Sequence, residues 1–214
     1  MIQPPYNNVL VKVKHKYIKN ITSILKRAAI QNGSSVDPNE CVNILGEVVM
    51  LPKKILNDST HKGYTTDGIK IGDTAIFSYQ VIYDLISTEL ETPVYRNMIF
   101  YKGEEYFVAD ITKIFGVIRN EEILMINGYV MTTAFKENVI IVPQAAKKIK
   151  GTVASNIISI GGTRKGEVGI NAKNGDLVYF SPLYAQKYQI NDKPFCIIKQ
   201  NRILGVSVEE KIIS

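Results

Sequence analysis

The chain has few of the residues that usually carry chemistry. It has two cysteines and two histidines in 214 residues. Cys41 and Cys196 lie far apart in apolar stretches, with no CxxC spacing and no histidine close in sequence. That argues against a metal site and against a disulfide framework, and the expectation is two buried thiols acting as small hydrophobes. His15 and His61 fall in different loops, so they offer no paired acid–base set. No apolar run reaches the roughly 18 residues a membrane span needs. The opening MIQPPYNNV has neither a charged region nor an apolar region of the signal-peptide kind. The expectation is a soluble protein of a reducing cytoplasm, with no membrane partner.

Phosphate chemistry is equally thin. GGTRKGEVG (161–169) has neither the Walker spacing nor its Lys-Ser/Thr ending. It reads as a polar loop. Glu104-Glu105 and Glu121-Glu122 are adjacent in sequence and point to opposite faces of a strand. No cofactor motif and no catalytic constellation is found, so the chain reads as non-enzymatic. The charge is mildly basic, +6 from 26 basic and 20 acidic residues, but Lys and Arg are scattered. A nucleic-acid footprint would cluster them on one element. VYRNMIFYKGEEYF (94–107) is the nearest approach to interleaved aromatic and basic residues, and it reads better as surface or interface.

What is present is β-structure. NVLVKVK (8–14), ILGEVVML (44–51), DTAIFSYQVIYDL (73–85), EEYFVADITKIFGVI (104–118), TVASNIISIGG (152–162), DLVYFSP (176–182) and KPFCIIKQNRILGVS (193–207) are short and rich in β-branched and aromatic residues. The third is a long strand or two joined by a bend. Asn127-Gly128 between apolar runs is a strong hairpin signal. LNDSTHKGYTTDG (56–68) is a polar loop. One segment departs: in KNITSILKRAAIQNGSS (19–35), Ile21, Ile24, Leu25 and Ala28 have helical spacing before Asn32-Gly33 ends the pattern. The spacing of turn signals suits small barrels or sandwiches.

The chain also repeats itself. IKIGDTAIFS (69–78) returns as AKNGDLVYFS (172–181). NNVLVKV pairs with ENVIIVP, Asn8 against Asn138, and ITKIFGVI pairs with KQNRILGVS, Gly116 against Gly205. The three landmarks keep their order while their separations shrink, so the first copy carries the longer loops. The division expected is residues 1–122 and 123–214. In each Gly-Asp pair the glycine frees φ and the aspartate bonds its own turn, a structural role for Asp73 and Asp176.

Order and spacing together resemble the GroES-type co-chaperonin, or chaperonin-10, family. NNVLVKVK after Pro4-Pro5 is similar to its opening strand, LGEVVML to its Gly-Glu-Val strand, IKIGDTAIFS to its Gly-Asp turn and strand, and EEYFVADITKIFGVI to its closing strand. The likeness is stronger in the first copy than in the second. The resemblance implies an all-β chain of two tandem irregular β-barrels, acting on a chaperonin ring and assembling as a homo-oligomer. It also implies that the loop at 15–43 docks the chaperonin through a hydrophobic triplet, for which Ile21, Ile24 and Leu25 are the matching residues. The alternatives are a small amphipathic helix packed on the barrel for that segment, and a structural part of a large assembly, such as a virus particle, for the whole chain. The second copy keeps only QAAKKIKGTVAS (144–155) at the corresponding place.

Overall fold

The computed structural model describes residues 4–14, 45–83, 85–87, 94–135, 151–191 and 193–207. The fold is all-β, with two large sheets. The first half runs β1 (Asn8–Val13), β2 (Leu45–Met50), β3 (Thr74–Phe77), a helical turn α1 (Gln80–Tyr83), a small ribbon of β4 (Leu85–Ser87) and β5 (Val94–Tyr95), then β6 (Met98–Tyr101), β7 (Glu104–Asp110), β8 (Ile114–Arg119) and β9 (Glu122–Met125). The second half runs β10 (Tyr129–Thr133), β11 (Val153–Ile160), β12 (Leu177–Phe180), β13 (Gln186–Ile190), β14 (Lys193–Lys199) and β15 (Ile203–Ser207).

The first sheet has the strand order β6-β7-β1-β2-β3-β8-β9, and the second β13-β14-β10-β11-β12-β15. Strand for strand these are one order, with β9 added to the first. The likeness extends to irregularities. The β1–β2 ladder slips between Leu10 and Val11, and the β10–β11 ladder between Met131 and Thr132. The β3–β8 ladder slips at Ile76/Phe77, and β12–β15 at Tyr179/Phe180. A bulge adds local twist, so each sheet bends at matching points over its own core. Val9, Val11, Phe77, Phe107 and Ile114 fill the first core, and Val130, Ile157, Val178, Phe180 and Ile198 the second. Among the described residues neither ladder closes into a barrel: β6 and β9 are the outer strands of one sheet, β13 and β15 of the other.

The structure changes three sequence expectations. The strand that takes the place of β1 in the second sheet is Tyr129–Thr133; ENVIIVP, with Asn138, lies wholly outside the described residues. Register shows it: Val11 faces Val48 across β1–β2, and Thr132 faces Ile157 across β10–β11. The landmark was misplaced because Asn-Val-Ile-Ile matches the Asn-Val-Leu-Val of β1 in residue type, whereas Tyr-Val-Met-Thr-Thr does not. Second, Asn127-Gly128 adopts positive φ at both residues, +50° and +77°, and Tyr129 N–H donates to Ile126 C=O at 3.0 Å. The turn is there, but it joins no hairpin. β9 pairs with β8 and β10 with β11 and β14, so tertiary partners override the local signal. The true hairpin is β8–β9, turning at Asn120-Glu121 with φ +49° and +67°. Third, of the two readings of 73–85, one long strand fails: β3 and β4 stand on either side of α1.

A third core joins the sheets. Leu45, Ile76, Phe115 and Met125 of the first pack with Tyr129, Met131, Tyr188 and Ile197 of the second. Phe115 is 2% exposed and meets the rings of Tyr129 and Tyr188 edge-on, at centroid distances of 4.8 and 5.6 Å. Edge-on contacts of this kind add about 0.5–1.5 kcal/mol each to simple burial.

Candidate interaction site

The Gly-Asp turns show how alike the two halves are. Gly72 N–H donates to Val48 C=O at 2.8 Å, and Gly175 N–H to Ile157 C=O at 2.8 Å. Lys70 N–H donates to Asp73 Oδ2 at 2.7 Å, and Lys173 N–H to Asp176 Oδ2 at 2.9 Å. Both glycines have φ near +90°, +90° and +94°, where a side chain would be strained. The aspartates are therefore turn-builders, as their sequence context suggests. Asp73 does one thing more. Arg119 Nε and a terminal nitrogen reach its two oxygens at 2.8 and 2.6 Å. The Arg119 hydrogen bond, helped by the Lys70 amide, holds the Asp73 carboxyl below the usual carboxylate range despite its burial.

The connections leave the sheets at two ends. At one end, β1 stops at Val13 and β2 starts at Leu45, with Val13 opposite Gly46. The expected docking loop 15–43 springs from here. Ile21, Ile24, Leu25 and Cys41 lie outside the described residues. The corresponding end of the second sheet is held by Thr133 and Ser155, whose hydroxyls lie 2.8 Å apart. A cavity of about 590 Å³ opens beside the loop base. It is lined by Lys12, Lys14, Leu45, Glu47 and Thr74, and by Asn191 from the β13–β14 turn of the other sheet. So the base of the first loop and a turn of the second sheet share one end of the molecule. Lys12 there pairs with Glu104 at 2.7 Å.

The opposite end is closed by ordered loops. Residues 51–73, between β2 and β3, contain the polar loop expected from sequence. Asn7 Oδ1 accepts from Leu56 N–H at 2.5 Å, and Asn127 bonds both Thr65 N–H and Thr65 C=O, at 3.2 and 3.1 Å. His61 bridges two carboxylates: Nδ1 lies 2.8 Å from Asp58 Oδ1 and Nε2 lies 2.8 Å from Asp110 Oδ2. Burial works against protonation of His61, but the hydrogen bonds its ring N–H groups donate to Asp110 and Asp58 outweigh it, and the pKa rises above 6.5. Burial likewise pushes Asp110 up, yet the bonds from Thr112 and His61 bring it below its ordinary value. The loop meets its counterpart in the second half. Lys165 N–H donates to Gly63 C=O at 3.3 Å, and the Arg164 guanidinium lies 4.7 Å from the Tyr64 ring centre, steered by an ion pair with Glu167. Tyr129, buried beneath, has its hydroxyl pKa pushed up, mainly by that burial.

Sequence reasoning missed this closed end. His61 looked isolated because its partner Asp110 is 49 residues away. The available signal was Asp58, three residues before it. Elsewhere, Cys196 is buried as expected. Among the described residues no three His, Cys, Asp or Glu side chains could hold a metal, and no helix is long and apolar enough to cross a membrane.

The fold and this two-ended geometry define an all-β protein whose halves share one strand order. The family model described as Chaperonin 10 Kd subunit matches residues 122–207, from the start of β9 to the end of β15. That stretch is similar to the GroES-type family. Among curated proteins none matches the chain. The match falls on the second half and not on the first, where the sequence resemblance was expected to be stronger. In the second half the connection between β10 and β11 is shorter than the 31 residues that the first half interposes between β1 and β2.

Proposed function

We infer that the chain is a co-chaperonin-like protein, non-enzymatic, that caps or modulates a chaperonin ring, and that its halves are tandem GroES-type units. The observation that carries this reading is the family match over 122–207. The first half joins it through its shared strand order, bulge positions and Gly-Asp turns. A capping protein needs one end for docking and another that is sealed. The loop 15–43 springs from one end, and the pinned loops 51–73 and 161–175 meet at the other.

In this reading Ile21, Ile24 and Leu25 are the docking residues. Apolar side chains in a long connection suit a groove on the partner. The test is co-sedimentation with a chaperonin and adenine nucleotide, for wild type and for Ile24→Asp with Leu25→Asp. Nucleotide-dependent binding that the double variant loses supports the reading. No binding by wild type, to a cognate as well as a standard chaperonin, overturns it and leaves the barrel-derived pair as a component of a larger assembly.

A further inference from the structure

The second Gly-Asp turn contains an Asn-Gly step, and the first does not. Asn174-Gly175 stands where the first half has Ile71-Gly72. In an Asn-Gly step the side-chain amide is open to attack by the next backbone nitrogen, because glycine has no Cβ to hinder the approach. The described residues contain two such steps, Asn127-Gly128 and Asn174-Gly175. The fold treats them in opposite ways.

Asn127 is buried, and both ends of its amide are taken: Oδ1 accepts from Thr65 N–H at 3.2 Å and Nδ2 donates to Thr65 C=O at 3.1 Å. The Gly128 nitrogen donates to Gly162 C=O at 2.7 Å. Attack there requires all of these bonds to open and water to enter. Asn174 is exposed, and its side chain has no hydrogen-bond partner among the described residues. Gly175 has open space beside it: apart from its chain neighbours, no heavy atom lies within 4 Å of where a Cβ would stand. Its nitrogen donates to Ile157 C=O at 2.8 Å, and the turn is closed by Asp176 N–H to Lys173 C=O at 3.1 Å. Both bonds lie in a turn at the surface, so a local opening frees the reacting pair.

We propose that Asn174 is a site of spontaneous self-modification. The Gly175 nitrogen gives up its proton and bonds to Asn174 Cγ. The C–N bond of the side-chain amide breaks, and ammonia leaves with the proton. Water then opens the cyclic imide at either carbonyl, giving aspartate or an isoaspartyl linkage that routes the main chain through Cβ. Water is the only co-reactant. Either product adds a negative charge close to Asp176, whose carboxylate accepts from Lys173 N–H at 2.9 Å. The isoaspartyl form also lengthens the turn by a main-chain atom. The Gly175–Ile157 and Asp176–Lys173 bonds then lose their register at the entrance to β12. The first half is immune at the matching place, since Ile71 has no amide. The proposal does not depend on chaperonin docking.

The test is incubation of the full chain, folded and in urea, in mildly alkaline buffer made with heavy-oxygen water. Peptide mapping by mass spectrometry then reads each Asn-Gly step separately, so Asn32-Gly33, outside the described residues, does not enter the comparison. Conversion appears as an amide replaced by a carboxyl that carries the label, and isoaspartyl methyltransferase marks the rearranged linkage. In the folded protein Asn174 is expected to convert at least about tenfold faster than Asn127, the factor set by the extra hydrogen bonds that hold Asn127. In urea the two rates should converge. Asn174→Gln should abolish the labelled product at 174 while leaving the initial Tm unchanged. Equal rates at 174 and 127 in the folded protein overturn the proposal. So does an Asn174 that stays intact in the folded protein while the chain in urea converts.

Discussion

His61 Nε2 lies 2.8 Å from Asp110 Oδ2, and this contact ties the loop between β2 and β3 to the end of β7. Its Nδ1 is held by Asp58. Protonated His61 satisfies both carboxylates. Its native pKa is raised, so its contribution to stability is complete below the unfolded value near 6.5 and is lost as pH rises through the native one. The acid side runs the other way: Asp58 and Asp110 have lowered pKa values, and their contribution is lost as pH falls through those. Tm is therefore expected to fall as pH is raised from slightly acid to mildly alkaline. His61→Gln should flatten that slope. An identical slope in the variant would show that His61 is not its source.

Phe115→Ala should be costly because it empties the core between the sheets. Truncating a buried phenylalanine costs about 3–5 kcal/mol. A single calorimetric transition is expected for wild type, since both sheets contribute to that core. The variant should unfold in two steps. Two transitions already in wild type would contradict the shared core.

Asp73→Asn and Asp176→Asn should differ. Both aspartates accept a turn amide, which asparagine's oxygen can also do. Only Asp73 also holds Arg119 among the described residues. Hydrogen bonds to charged groups are worth about 1.5–3 kcal/mol, so Asp73→Asn should lose stability on that scale. Asp176→Asn should lose below about 1 kcal/mol. Urea unfolding of the pair measures the difference, and equal losses would refute it.

Asn127→Gly preserves a backbone that needs positive φ while removing both bonds to Thr65. The Thr65 amide should exchange faster, by an amount matching a lost bond of about 0.5–1.5 kcal/mol. Exchange in β10 should be unchanged. Hydrogen exchange read by NMR separates the two.

Gly161→Ala places a Cβ 2.6 Å from Ile126 N. The clash is with backbone and cannot be relieved by a rotamer change. A loss of about 1–3 kcal/mol is expected, against little change for Gly162→Ala, where nothing lies within 4 Å. Thermal denaturation of the two variants makes the comparison.

The strands were legible because burial imposes a period. Val9, Val11 and Val13 are buried and Lys12 is not, as the residues' alternation suggests, but Leu10, which that alternation places outward, is buried as well. The Gly-Asp turns were legible because positive φ restricts the choice of residue. Partnership across the chain was not. Asn127-Gly128 has every local property of a hairpin turn, and only the competition of β8 for β9 decides otherwise. The His61 bridge depends on a strand end 49 residues away. The closed barrels implied by resemblance became open sheets, since closure depends on whether the outermost strands meet, which no residue in either strand encodes alone.

β9 belongs to the first sheet by its hydrogen bonds and to the second by its immediate continuation into β10. Synthesis runs from the N-terminus, so the first sheet acquires its last strand only when Met125 has been made. The face around Phe115 then waits for Tyr188 and Ile197. At about 5–20 residues per second, that wait is roughly 4–15 seconds. During it the nascent chain exposes the Phe115 face that the finished protein buries between its sheets.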